Sequence, residues 1–101
     1  MYQLLLHRQV EKDLAKIPRN YGKRLVEVMR SLKQDPRPQQ SIHLGEELYR
    51  MRVGTYRIIY AVFDHKLIVY VGKIGRRSEK TYRNLDDILR AAKRALDNLK
   101  E

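Results

Sequence analysis

Three arginines stand close together in the most strand-like part of the chain, "LYRMRVGTYRIIY" at 48–60: Arg50, Arg52 and Arg57. A guanidinium group is planar, always charged and carries five N–H donors, so a rigid cluster of them suits a phosphate. A second basic run, "GRRSEKTYR" at 75–83, supplies Arg76, Arg77, Lys80, Tyr82 and Arg83. Together the two groups could hold a phosphodiester backbone and stabilise charge building on its non-bridging oxygens. Other chemistry has little support. His7, His43 and His65 are isolated, and none has metal-ligand spacing with another His or with Asp or Glu. There is no cysteine, hence no thiolate metal site and no disulfide framework. The five glycines are scattered and form no phosphate loop. No metal and no cofactor are expected.

The totals agree with an anionic partner. Lys and Arg number 22 against 12 Asp and Glu, a formal charge of +10. Such a field attracts polyanions. Nucleic acid leads as a partner class, an acidic protein is second and an anionic membrane surface a distant third. At 101 residues and 43% hydrophobic, the chain (1–101) reads as one folded domain. "MYQLLLHRQVEKDL" has one apolar triplet followed by charges, neither a signal peptide nor a membrane span, so the cytoplasm is the default location.

The elements that must position these arginines are legible from periodicity. "YQLLLH" (2–7) predicts a strand. Val10, Leu14 and Ile17 predict a helix over 8–17, ended by Pro18. Tyr21, Leu25, Val28, Met29 and Leu32 form the stripe of a second helix over 20–34, with Asn20 as its cap. The stretch 35–47 holds two prolines and a Gly and reads as a loop. Strands follow at about 48–53, 56–63 and 67–74. A last helix over 84–101 starts at Asn84, with Asp86 and Asp87 at the positive end of its dipole. The order β-α-α-β-β-β-α implies an α+β domain: a small antiparallel sheet packed by an N-terminal helical hairpin and a C-terminal helix. One face of that sheet is expected to stay partly open.

Gly54-Thr55 suits a two-residue hairpin loop, which fixes the register: Arg52 opposite Arg57, Met51 opposite Ile58, Arg50 opposite Ile59. Alternation then puts Tyr49, Met51, Val53, Tyr56, Ile58, Tyr60 and Val62 on one face. Arg50, Arg52, Arg57, Ile59 and Ala61 share the other. A like-charge cross-strand pair opposes stability, on a scale of about 0.2–1 kcal/mol. Either the arginines snorkel or pair with Glu46 or Glu47, or they surround an anion. Asp64-His65 can close the next turn, with Lys66 available to lengthen it. The shorter register sets Arg57 against Gly72, and puts Ile68, Tyr70, Gly72 and Ile74 on the arginine face.

"LYRMRVGTYRIIYAV" followed by "VYVGKIGRRSEKTYR" resembles the RelE/ParE superfamily of toxin–antitoxin toxins. The resemblance extends to the helical hairpin and to Leu44-Gly45 before the arginine strand. It implies a small antiparallel sheet flanked by a helical hairpin. For a RelE-like member it also implies a ribosome-dependent endoribonuclease, which cuts messenger RNA in the ribosomal A site by 2′-hydroxyl attack on the adjacent phosphate. The implied catalytic residues are Arg50, Arg52, Arg57, Arg77 and Tyr82. Arg76, Lys73, Lys80, Arg83 and Tyr70 are the implied RNA contacts. Arg76 and Arg77 compete for the role after the last strand, where many relatives carry His. The implied partners are the ribosome with its message and a cognate RelB-like antitoxin. Two alternatives stay open: a ParE-like inhibitor of DNA gyrase without RNase activity, and a non-catalytic RNA-binding module with Tyr70 and Tyr82 as stacking platforms.

Overall fold

The computed structural model describes residues 1–76 and 84–99. Arg77, Lys80, Tyr82 and Arg83 therefore lie outside the described residues. In chain order the elements are β1 (Gln3–Leu6), α1 (Arg8–Lys16), α2 (Arg19–Ser31), β2 (Ile42–Gly45), β3 (Leu48–Val53), β4 (Tyr56–Phe63), β5 (Ile68–Arg76) and α3 (Leu85–Asn98). A single 3₁₀ turn, Asp64–Lys66, joins β4 to β5.

The expected order is present, with one strand more. β2 forms inside the stretch read as a loop, pairing antiparallel with β3 at the sheet edge. Four residues that end on Gly45 carry too little periodicity to announce a strand. The sheet order is β1-β5-β4-β3-β2. It is mixed rather than wholly antiparallel, because β1 runs parallel to β5. β3 already occupies one edge of β4, so the open edge of β5 is where β1 can join.

Pro18 does double duty. It follows the extended C-cap Ile17 of α1 and stands at the N-cap position of α2, its carbonyl accepting from Gly22 N–H at 2.9 Å. Proline pre-sets φ for a helix start. Asn20, expected as the cap, is therefore already inside α2. The start of α1 is capped by His7, whose Nδ1 accepts from the Gln9 N–H at 3.0 Å. That gives one of the three histidines a structural task.

The helical hairpin buries Val10, Leu25, Met29 and Leu32 against Met51, Val53, Tyr56, Ile58, Tyr60, Val62, Val69, Val71 and Ile74. The expected apolar face of the β3–β4 hairpin is thus the main core. At its far end the Tyr60 hydroxyl donates to the Pro36 carbonyl at 2.8 Å. Nearby, Asp64 accepts from the Tyr2 hydroxyl at 2.6 Å and from Arg37 at 2.8 Å. Those two hydrogen bonds, Tyr2 first, hold the Asp64 carboxyl below its ordinary value. These contacts fasten the segment after α2 onto the sheet.

Burial pushes the Tyr60 phenol up to about 12 from 10.0. The folded chain holds that proton more tightly than the unfolded one. Its contribution is intact below pH 10 and lost as pH rises from there to about 12. In Tyr60→Phe, denaturant midpoints should fall less steeply across this window than in the parent. At pH 7 the same variant should be weaker by about 1–3 kcal/mol, because the Pro36 carbonyl loses its donor. Equal slopes in the two proteins would remove Tyr60 as a determinant of alkaline unfolding.

α3 lies on the second face, which is therefore covered at one end. Leu89 and Ala92, with Leu85, Ile88 and Leu96 beside them, pack on Leu48, Ala61, Phe63, Ile68 and Tyr70. Leu99, just past the end of α3, is 44% exposed. Asn84 stands at the helix start in the left-handed region (φ 63°) and makes no side-chain cap bond.

Candidate nucleic-acid interface

Gly54 has φ +60°, the left-handed value that the first position of a tight hairpin loop needs. The register follows as expected: Val53 faces Tyr56, Arg52 faces Arg57, Met51 faces Ile58 and Arg50 faces Ile59. The next turn differs. Asp64–Lys66 and Leu67, the last with φ 55°, make it longer than two residues, so that Phe63 faces Ile68. The ladder then shifts between Ile59 and Tyr60: Ile59 faces Lys73, Tyr60 faces Val71, and Gly72 is the extra residue of a bulge.

These two changes correct the arginine face. Arg57 pairs with Gly75, not Gly72. Ile74 moves into the core under the helical hairpin, and Lys73 comes over to join the arginines. Without the bulge, strict alternation would drive Lys73 into the packed face. The second face is thus a set of rungs across β3, β4 and β5. Leu48, Ala61 and Tyr70 form the rung beneath α3. Arg50, Ile59 and Lys73 form the next, and Arg52, Arg57 and Gly75 the last. Polarity changes from apolar to cationic within three rungs.

The cations differ in how firmly they are held. Arg50 is only 7% exposed, Arg57 and Lys73 are half-buried, and Arg52 is exposed. The Nε atoms of Arg50 and Arg57 are shut off from water. Guanidinium stems packed in this way are already oriented, so charge arriving between them meets donors that need little reorganisation. Gly75 contributes no side chain opposite Arg57 and is itself buried.

The remaining site residues fall elsewhere. Tyr70 is 5% exposed beneath α3, and burial raises its phenol above the ordinary value. It packs the helix and offers no stacking platform. Arg76 faces Tyr56 in the ladder, on the helical-hairpin side, with its guanidinium carbon 5.9 Å from the ring centre. Arg50, Arg52, Arg57 and Lys73 are therefore gathered on one face, and Arg76 stands around the rim. Sequence reasoning missed Gly75; the signal available was a second glycine in β5, at the spacing that a one-residue bulge requires. Among the described residues, no group of three or more His, Cys, Asp or Glu could hold a metal ion. No helix there is long and apolar enough to cross a membrane.

Residues 4–81 match the model of the family described as ParE toxin of type II toxin–antitoxin system. The chain is 32% identical to "Putative toxin RelE1" of Methanocaldococcus jannaschii over 88 residues, covering 82% of this chain and 97% of the relative. Its fold is similar to that in the archaeal RelE–RelB complex from Pyrococcus horikoshii OT3: TM-score 0.69, 28% identity, 77% of this chain and 97% of that one. It is also similar to the isolated E. coli RelE toxin, with TM-score 0.68, 21% identity and 90% and 99% coverage.

Proposed function

Because the chain belongs to the RelE/ParE superfamily of type II toxin–antitoxin toxins, we propose that it is RelE-like: an endoribonuclease that cuts messenger RNA in the ribosomal A site. The observation that carries this reading is the Arg52–Arg57 cross-strand pair beside Gly75, with Arg50 and Lys73 in the rung behind. Like charges directly opposite each other in a ladder repel. A phosphodiester between them turns the repulsion into two charge-assisted contacts.

The chemistry balances without a further reactant. The ribose 2′-oxygen attacks the adjacent phosphorus, and the new P–O2′ bond forms as the P–O5′ bond breaks. The products are a 2′,3′-cyclic phosphate and a 5′-hydroxyl. The proton lost from the 2′-hydroxyl balances the one gained by the leaving oxygen. Arg57, aided by Arg77, stabilises charge on the non-bridging oxygens. Arg50, Arg52 and Lys73 hold the backbone. Tyr82 stacks on a base or exchanges a proton, a role drawn from the family resemblance. An arginine of ordinary basicity is a poor general base, so none of these residues is assigned that step.

The partner that restrains this activity is a RelB-like antitoxin, the protein found with RelE in the Pyrococcus complex. A net charge of +10 steers an acidic chain toward the toxin. The test is a cell-free translation reaction with the 5′ ends of message mapped afterwards. Translation should stop, with new 5′-hydroxyl ends within codons and none when ribosomes are omitted. The matching family model is named for ParE, which favours one second reading, inhibition of DNA gyrase. Intact message together with blocked supercoiling would establish that reading instead.

A further inference from the structure

A cleft of about 230 Å³ lies where the start of α3 crosses the end of β1 and the bulge of β5. Gly72 and Lys73 of β5 line it, with Ile88 of α3 as an apolar wall. Asn84 and Asp87 stand on the α3 side, and His7, the residue after β1, completes it. A Cβ on Gly72 would meet Ile88, and α3 packs on the second face of the sheet, so the cleft shares that face with the arginine rungs. Lys73 belongs to both. It faces Ile59, which faces Arg50, in the rung next to Arg52 and Arg57. Cations therefore run across the sheet from Arg52 on β3 and Arg57 on β4 to Lys73 on β5. The line ends at His7, whose N–H donates to the Val71 carbonyl of β5 at 2.9 Å.

The lining is rich in donors. Lys73 brings three N–H groups and no acceptor. His7 adds a donor of fixed kind. Its Nδ1 accepts the Gln9 N–H at 3.0 Å as the cap of α1, so the neutral ring carries its proton on Nε2. Asn84 makes no side-chain cap bond, so its amide does not serve the helix. Asp87 is the acid among the described lining residues, and Arg90 Nη1 donates to its Oδ1 at 2.6 Å, which offsets its charge. One cation beside one directed neutral donor suits two oxygens of the same phosphate. From Lys73 to Gly75, the partner of Arg57, is two residues of strand, about 6–7 Å, a length that one nucleotide of an extended chain spans.

We propose that this cleft is a second phosphate subsite, holding the sugar–phosphate unit next to the one gripped by Arg52 and Arg57, with His7 Nε2–H and Lys73 Nζ as its donors. The nucleic-acid strand then crosses the sheet from β3 toward β1 rather than following any one β-strand. His7 acts away from the reacting atoms and sets the register of the bound strand, as phosphate contacts do. The two donors leave different marks on binding. Lys73 releases counterions when it neutralises a phosphate, and a neutral His7 does not. The subsite rests on the RNase reading for the identity of the strand, but not for its test.

That test uses short single strands of 2′-O-methyl RNA, which lack the nucleophile, with one linkage at a time replaced by an uncharged methylphosphonate. Binding to the full chain is measured by fluorescence anisotropy at mildly alkaline pH over a range of salt. Two neighbouring linkages should each cost about 10-fold when neutralised, and His7→Asn and Lys73→Met should each cut the loss at one of them to about threefold. Arg52→Ala should act on the other linkage alone. Lys73→Met should also lower the slope of log affinity against log salt by about 0.7, and His7→Asn should leave that slope unchanged. Asn is a favoured cap, so His7→Asn removes the Nε2 donor and keeps the start of α1. Should a melting curve show α1 loosened, Lys73→Met decides alone. Linkage costs that are the same in the parent and in the variants, or a loss spread evenly over all linkages, overturn the subsite. No cleavage is needed for this readout. A chain with the expected pattern that cuts no message keeps the subsite and loses the RNase reading. A chain that cuts with no linkage answering to His7 or Lys73 does the reverse.

Discussion

Arg57→Ala is expected to lower the rate of ribosome-dependent message cleavage by about 10²–10³-fold, the scale seen when one fixed donor to a developing oxyanion is removed. Its thermal midpoint should move far less. The substitution removes a cross-strand like-charge contact with Arg52, which favours the variant, and strips a half-buried stem from the sheet, which does not. The two effects oppose each other at about 1 kcal/mol or below, a shift within about 4–8 °C for a domain of this size. Initial rates of 5′-end formation and a melting curve on the same preparation check both halves. Undiminished cleavage with an intact fold would mean that the arginine rungs are not the reaction site. Lost cleavage with a collapsed midpoint would mean that Arg57 is structural.

A large stability effect is expected at a residue without a side chain. A Cβ built on Gly72 would sit well inside van der Waals contact of the Ile88 Cγ2 methyl, and 3.6 Å from Ile88 Cβ. Gly72 is not among the described glycines with positive φ, so the bulge itself tolerates an L-residue. The obstacle is α3. Ile88 is β-branched and on a helix, where its first torsion is nearly fixed, so the methyl cannot swing aside. Gly72→Ala must therefore shift α3 off Tyr70 and its neighbours, at about 1–3 kcal/mol. Pairing it with Ile88→Ala should recover part of that loss, a coupling of at least about 0.5 kcal/mol in a double-mutant cycle followed by urea unfolding. Strict additivity would show that Gly72 and Ile88 do not meet.

What the sequence disclosed depended on how local the cause was. The β3–β4 register was legible because one residue, Gly54, carries the turn, and a two-residue loop leaves no slack. The apolar stripes of α1 and α2 were legible from their 3.6-residue spacing. The β4–β5 register was not, because its turn depends on Leu67 in a left-handed conformation that its side chain disfavours and nothing nearby announces. The bulge at Gly72 was equally hidden. It exists because α3, encoded further along the chain, needs room there. Lys73 could be named as a basic residue near the site, but only the bulge explains how it reaches the arginine face. β2 and the parallel pairing of β1 are edge events, decided by which hydrogen-bonding edges the central strands leave open.

The parallel contact of β1 with β5 also sets an order of assembly. Gln3 and Ile68 are partners, so nearly two thirds of the chain must be closed into a loop before the first strand finds its place. The β3–β4–β5 meander closes only short loops, and loop closure is the cost that separates quick contacts from slow ones. The arginine rungs therefore form early and β1 docks late. Substitutions in β1, such as Leu6→Ala, should speed unfolding and hardly slow folding, whereas Ile58→Val should slow folding. The reverse pattern in a chevron plot would place β1 in the nucleus. On a translating ribosome, the newborn chain cannot finish its sheet until β5 has emerged.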